Sequence, residues 1–299
     1  MSSCAAPLAA QLLQTRNHCN MTIEAHAKIN LTLEVFGKRA DGYHALRSLV
    51  VPISLADSLE ITATDDGVIS SNSPYPDDLC VKAAKILRDK AGLDASKGVS
   101  IRVEKRIPAG GGLGGGSADA AAVLVALNKL WNVALDRARL CEVAAEVGSD
   151  VPALTLGGAV IMEGRGEKVT EFGDFPPFYF VLVNPGVFSS TKEVYGKCVP
   201  RMTDDPSILY NMRSALLSGD SERIGAAAFN DLALSACQLH PQITEAMDAL
   251  RQCGIANPAM TGSGSTVFGL VPNEARGREV AALMEAKGYK AWSVHSSVR

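Results

Sequence analysis

The chain has 299 residues, 47% of them hydrophobic and 20% charged, with a formal net charge of −3. That length can bury a sizeable core in one large or two medium domains. The near-neutral balance, without long Lys or Arg runs, excludes the electrostatic footprint of a nucleic-acid binder, and no stretch reaches the roughly 18 consecutive apolar residues that would signal a membrane span.

The cysteines (Cys4, Cys19, Cys80, Cys141, Cys198, Cys237, Cys253) are odd in number and scattered, and no H-E-x-x-H or similar cluster occurs among the histidines. This argues against a disulfide framework and a zinc site, and the expectation is reduced thiols in a cytoplasmic protein. Residues 1–20 carry a short apolar run but no basic n-region, so a secretory signal fits poorly. They are expected to form a disordered extension, with Met21 as an alternative start.

In IEAHAKINLTLEVF, Ile29, Leu31, Leu33 and Val35 alternate with polar residues, which predicts a strand over Ile23–Phe36. A turn follows at Asp41-Gly42, then strands over Leu46–Leu55 and Ser58–Thr64. Leu79, Ala83, Ile86 and Leu87 share a face of a helix over Asp78–Ala91 that stops at Gly92. Val99, Ile101 and Val103 mark a half-buried strand leading into PAGGGLGGGSADAAA, where six glycines fall within 110–116.

Beyond them Ser117 is the expected N-cap of a buried helix carrying Ala120, Leu124, Leu127 and Trp131. A further helix is predicted over Asp136–Val147, with strands over Ala159–Glu163 and Tyr179–Asn184. Residues 205–252 read as mainly helical, with Pro206 and Pro241 near helix starts, and Pro258–Val294 reads strand, helix, strand. Several strands precede the first clear helix and the back half is helix-rich, which predicts an α+β fold with two lobes.

The glycine segment decides the chemistry. Gly110, Gly112 and Gly115 satisfy G-x-G-x-x-G, but a dinucleotide fold needs a second strand ending in an acid about 20 residues on, and that region has a helical pattern. A Walker loop needs Lys before its Ser/Thr, where Gly116 stands, and neither HRD nor DFG occurs as in a protein kinase. A strand, an unobstructed loop and a helix N-terminus present free N–H groups to an anion. The loop is therefore expected to hold phosphate, and Ser117 to cap the helix, reach a phosphate-bound Mg²⁺, or both.

PAGGGLGGGSADAA resembles the central phosphate-binding motif of the GHMP kinases, the small-molecule kinases of galactose, homoserine and mevalonate. AKINLTLEV near the start and TGSGSTVFGL at 261–270 match in order, so the resemblance covers nearly all of the chain after residue 20. The stretch AKINLTLEVFGKRADGYHALRSLV is similar to the branch acting on a cytidyl diphosphate derivative of methylerythritol. The resemblance implies a two-lobed fold with the active site in the cleft between lobes, divided into an ATP-binding domain over 21–160 and a second domain over 161–299. It implies ATP as co-substrate with Mg²⁺, and phosphorylation of the 2-hydroxyl in non-mevalonate isoprenoid synthesis.

Carried over residue by residue, Lys28 and Asp150 match the catalytic lysine and aspartate. Without the resemblance, Asp150 reads equally as a loop cap and Lys28 as a solvated strand residue. Pro108, Ala109, Gly110, Gly111, Gly112, Leu113, Gly114, Gly115, Gly116, Ser117 and Ala118 match the ATP loop, and Lys105 stands just before it. Tyr43 and His44 fall where the family reads cytosine, and Tyr195 is the expected opposite wall of a stacking clamp. Thr191 is placed near the hydroxyl or Asp150, and Asn30 near the methylerythritol part. Asp78 departs from the Asn that relatives carry before the equivalent of Leu79. TGSGST is expected to form a second loop facing the first across the cleft. A homoserine or mevalonate kinase is the alternative within the family. A dinucleotide oxidoreductase and a non-catalytic sensor are alternatives outside it.

Overall fold

The structure, a computed structural model, describes residues 20–74, 76–203 and 205–296. Of residues 1–20, expected to form a disordered extension, 1–19 lie outside the described residues and Asn20 is the first residue of a strand.

The first lobe is laid down by β1 (Asn20–Lys38) and β2 (His44–Thr64), two long antiparallel strands joined by the turn at Asp41-Gly42. Then follow β3 (Ile69–Ser71), α1 (Leu79–Lys90), β4 (Gly98–Glu104), α2 (Gly115–Leu130), α3 (Arg137–Val147), α4 (Val151–Leu156), β5 (Val160–Gly164) and β6 (Lys168–Glu171). The sheet runs β3-β4-β2-β1, β5 pairs with the opposite end of β2, and β6 pairs with β5. Helix α2 packs on β1 and β2 and is flanked by α1, α3 and α4.

The second lobe contains β7 (Tyr179–Asn184), α5 (Thr191–Lys197), α6 (Ser207–Ser218), α7 (Ser221–Ala227), β8 (Phe229–Asn230), α8 (Ala233–Leu239), α9 (Pro241–Gln252), β9 (Ala259–Met260), β10 (Val267–Val271), α10 (Glu274–Ala286) and β11 (Lys290–His295). Its sheet has the order β11-β7-β10-β9, while β8 crosses back to pair in parallel with β1. Helix α10 lies against β7 and β11. No helix among the described residues is long and apolar enough to cross a membrane.

The architecture is the expected two-lobed α+β fold, with three local corrections. The segments over Leu46–Leu55 and Ser58–Thr64 form one strand, because pairing with β1 continues through Ala56, Asp57 and Ser58. Helix α2 begins at Gly115, so Gly114 (φ +71°) is its N-cap and Ser117 lies inside its first turn. Alternation in β1 predicts one solvated face, yet Lys28, Asn30, Thr32 and Glu34 are as buried as Ile29, Leu31, Leu33 and Val35. Each of these polar residues has a partner. Glu34 meets Arg47 in a two-pronged ion pair, Thr32 accepts from the Leu49 N–H, and Lys28 and Asn30 face the cleft.

Candidate active site

The glycine loop is shaped by its neighbours as much as by its own flexibility. Gly112 has φ +75°, and a Cβ there would stand 2.3 Å from the carbonyl oxygen of Thr261. No other residue fits that left-handed, close-packed position without strain. The second loop, TGSGST, therefore packs directly on the first and does not stand across the cleft from it. The Thr266 N–H donates to Gly111 O at 3.1 Å, and the Ser189 hydroxyl holds Ser263 O at 2.6 Å. At the end of the glycine loop, α2 starts without a side-chain cap, leaving its first N–H groups without partners in the helix.

Strand β1 supplies the lysine. Pairing with β2 slips between His26 and Lys28, which turns the Lys28 N–H out of the ladder to donate to Leu113 O at 3.0 Å. The Lys28 side chain is 5% exposed. Its ammonium donates to Asn30 Oδ1 at 2.5 Å and Gly112 O at 2.9 Å, and lies 3.6 Å from an Asp150 carboxylate oxygen. Asp150 occupies the N-cap position of α4, but its side chain caps nothing and is directed to Lys28. The readings of Lys28 as solvated and Asp150 as a simple cap are both excluded by this geometry.

One cavity of about 730 Å³ is lined by Lys28, Asn30, Asp150, the loop from Pro108 to Ser117, Lys105, Thr191 and Tyr195, together with Gly262 and Ser263 of the second loop. Ala118, at 2% exposure, lies behind this wall. Asn30 is tied to Lys28 and to the Ser48 hydroxyl (2.8 Å), and Thr191 is 2.9 Å from the Ser263 hydroxyl. Asp78 caps α1 through the Cys80 N–H and bonds the Ser71 hydroxyl, so both carboxylate oxygens are engaged.

The aromatic residues divide differently from expectation. His44, not Tyr43, is the ring that faces Tyr195: their rings stack with centroids 5.6 Å apart and an interplanar angle of 29°. Tyr43 is 53% exposed, lies outside the cavity lining and stacks on the Arg165 guanidinium at 5.3 Å. Burial is the chief cause that pushes the Tyr195 hydroxyl above its ordinary pKa.

Sequence reasoning misses Asp119 in the cavity lining and the buried Asp57 that holds Lys105. Asp57 falls in what reads as a break between strands, and its contacts are long-range. Asp119 did leave a signal, the one acidic residue in an alanine-rich helix. Burial raises Asp119 to about 7 against the lowering effect of Lys105. Burial acts to lower the Lys105 ammonium, but Asp119 and Asp57 outweigh it and the net shift is upward.

A glycine loop meeting a helix N-terminus, faced by a lysine–aspartate pair in the cleft of a two-lobed α+β fold, defines a small-molecule kinase. Comparison with known families agrees. Residues 78–158 match the GHMP kinases N terminal domain and residues 212–290 the GHMP kinases C terminal region.

Proteins named 4-diphosphocytidyl-2-C-methyl-D-erythritol kinase are similar over most of their length. That of Bacillus cytotoxicus is 40% identical over 262 residues, covering 86% of this chain and 90% of its own. That of Pelotomaculum thermopropionicum is 41% identical over 268 residues, covering 88% and 93%. A crystal structure of a 4-(cytidine 5'-diphospho)-2C-methyl-D-erythritol kinase superposes with TM-score 0.80 at 35% identity, covering 93% of this chain and all of that one. The chain belongs to the 4-diphosphocytidyl-2-C-methyl-D-erythritol kinase family, within the GHMP kinases. A homoserine kinase from Cytophaga hutchinsonii shares the fold alone, with TM-score 0.73 at 19% identity over 93% of this chain and 95% of that one.

Proposed function

We propose that this kinase transfers the γ-phosphoryl group of ATP to the 2-hydroxyl of 4-diphosphocytidyl-2-C-methyl-D-erythritol, a step of non-mevalonate isoprenoid synthesis. The observation that carries the reading is the Lys28–Asp150 pair, 3.6 Å apart, in the cavity that the glycine loop lines. An alcohol is a weak nucleophile, and a carboxylate that takes its proton as phosphoryl transfer proceeds raises its reactivity. Asp150 is in reach of an acceptor because 36% of its side chain is open to the cleft. Lys28 is anchored by Asn30 and Gly112 O and can offset charge on the transferring group without swinging away. The loop amides and the first turn of α2 receive the polyphosphate.

Among the described residues no group of three or more His, Cys, Asp or Glu side chains is placed to hold a metal ion. This agrees with Mg²⁺ arriving on the nucleotide, since Mg²⁺ keeps most of its oxygen ligands from phosphate and water. The Ser117 hydroxyl lines the cavity and would hold it, and the ion would neutralise phosphate charge.

Tyr195, His44 and Tyr43 are proposed to receive the cytosine, with Thr191 and Asn30 near the alcohol. The nucleotide domain is proposed over 21–160 and the second domain over 161–299. The five described cysteines are free, which supports a cytoplasmic setting.

An assay offering ATP–Mg²⁺ with the cytidyl alcohol, homoserine or mevalonate tests the reading. ADP formation with the cytidyl compound alone is expected. Preferential turnover of either other alcohol would discard the base-binding residues and keep the phosphate loop.

A further inference from the structure

A loop rich in glycine has little of its own to keep its amides aimed at a polyphosphate. Its two ends are joined by a cluster that the transfer chemistry leaves unused. Asp57, fully buried in β2, accepts through Oδ1 from the backbone N–H groups of Arg106 (2.5 Å) and Ile107 (2.8 Å), the last residues before the loop. Its Oδ2 accepts from the Lys105 ammonium. The same ammonium donates at 2.7 Å to Oδ2 of Asp119, which is 5% exposed and sits on α2 just past the loop.

Lys105 thus spans from the segment entering the loop to the helix leaving it. A Cβ on Gly115 would lie 3.4 Å from its ammonium nitrogen, so this charge stands at the first residue of α2. The positive end of a helix repels a cation there, and the two carboxylates offset that repulsion. Asp119 caps no helix end, and its Oδ1 is buried with no partner. Its other oxygen, Oδ2, accepts from Lys105.

The geometry points to Asp57 and Asp119 as positioning residues for nucleotide: through Lys105 they clamp the two ends of the glycine loop together and fix the spacing of its amides. This rests on reading the loop as the nucleotide site. The clamp works on ATP and not on the acceptor, because its hydrogen bonds join Asp57, Lys105 and Asp119 to one another and to the segment entering the loop, and none of them involves Lys28 or Asp150.

The test is steady-state kinetics of Asp119→Ala and Asp119→Asn, with ADP–Mg²⁺ affinity measured by calorimetry on the same samples. Asp119→Ala removes a charge-assisted hydrogen bond and is expected to raise KM for ATP and Kd for ADP by about tenfold. KM for the cytidyl substrate and kcat should each move less than about twofold. Asp119→Asn keeps an oxygen that accepts from Lys105 and should recover most of the loss. If Asp119→Ala does not fold, Lys105→Gln carries the same test, with the same ATP-selective direction expected. An unchanged KM for ATP, or a parallel fall in kcat with both KM values raised, overturns the clamp. Wild-type protein that binds no ADP–Mg²⁺ overturns instead the reading of the loop.

Discussion

At the phosphate end of the cleft, position is set by backbone. The glycine loop is pinned by Thr266, by the Lys28 N–H and ammonium, and by close contact with the second loop. At the end proposed to receive the base, position is set by side chains: Tyr43 is half exposed, and His44 and Tyr195 stack on one another. The first end is built to receive its ligand as it stands, at little reorganisation cost. The second has its rings resting together, and on the proposed reading a base would part them to enter. Conserving ATP use while changing the acceptor asks for this division, since the variable recognition then lies where side chains can be exchanged without disturbing the loop.

The largest effect should come where both ends meet the chemistry. Asp150→Asn keeps shape but removes the base, and kcat should fall about 10²-fold or more while ADP affinity stays within about twofold. Full turnover would take Asp150 out of the reaction.

Gly112→Ala attacks the rigid end. Its Cβ meets Thr261 O in a left-handed conformation, so KM for ATP should rise more than about tenfold and unfolding free energy should drop by about 2 kcal/mol, read by denaturant titration. A neutral result would mean that the two loops move apart freely.

The base end should respond more mildly and in the other substrate. Tyr195→Ala should raise KM for the cytidyl alcohol about fivefold to tenfold through lost stacking, with KM for ATP unchanged. Tyr43→Ala should raise it about threefold, because the ring stands outside the cavity lining and Arg165 covers one of its faces, leaving one for a base. Equal effects on both substrates would dissolve the distinction between the ends.

Much of this was legible in the sequence for a physical reason. Phosphate binding by backbone needs glycines in series at a strand–helix junction, and a local run records that need. Lys28 and Asp150 were legible through their motifs, AKIN and GSDVP, though the burial of Lys28 was not. Alternation marks a strand but does not tell whether its polar face meets water or a cleft. The partnership of His44 with Tyr195 joins residues far apart in the chain, and nothing local distinguishes it from Tyr43 with Tyr195. Ser117 looked like the N-cap because it is the first good capping side chain. Gly114 takes that place by adopting φ +71°, which only the packed loop dictates.

The most direct test compares 4-diphosphocytidyl-2-C-methyl-D-erythritol with methylerythritol 4-phosphate, the same alcohol without the cytidine monophosphate unit, as acceptors at saturating ATP–Mg²⁺. Two rings and their polar neighbours should be worth roughly 3 kcal/mol, so kcat/KM for the truncated alcohol is predicted to fall about 10²-fold or more, while KM for ATP holds. Comparable turnover of both alcohols would contradict the account, because the base end would then select nothing.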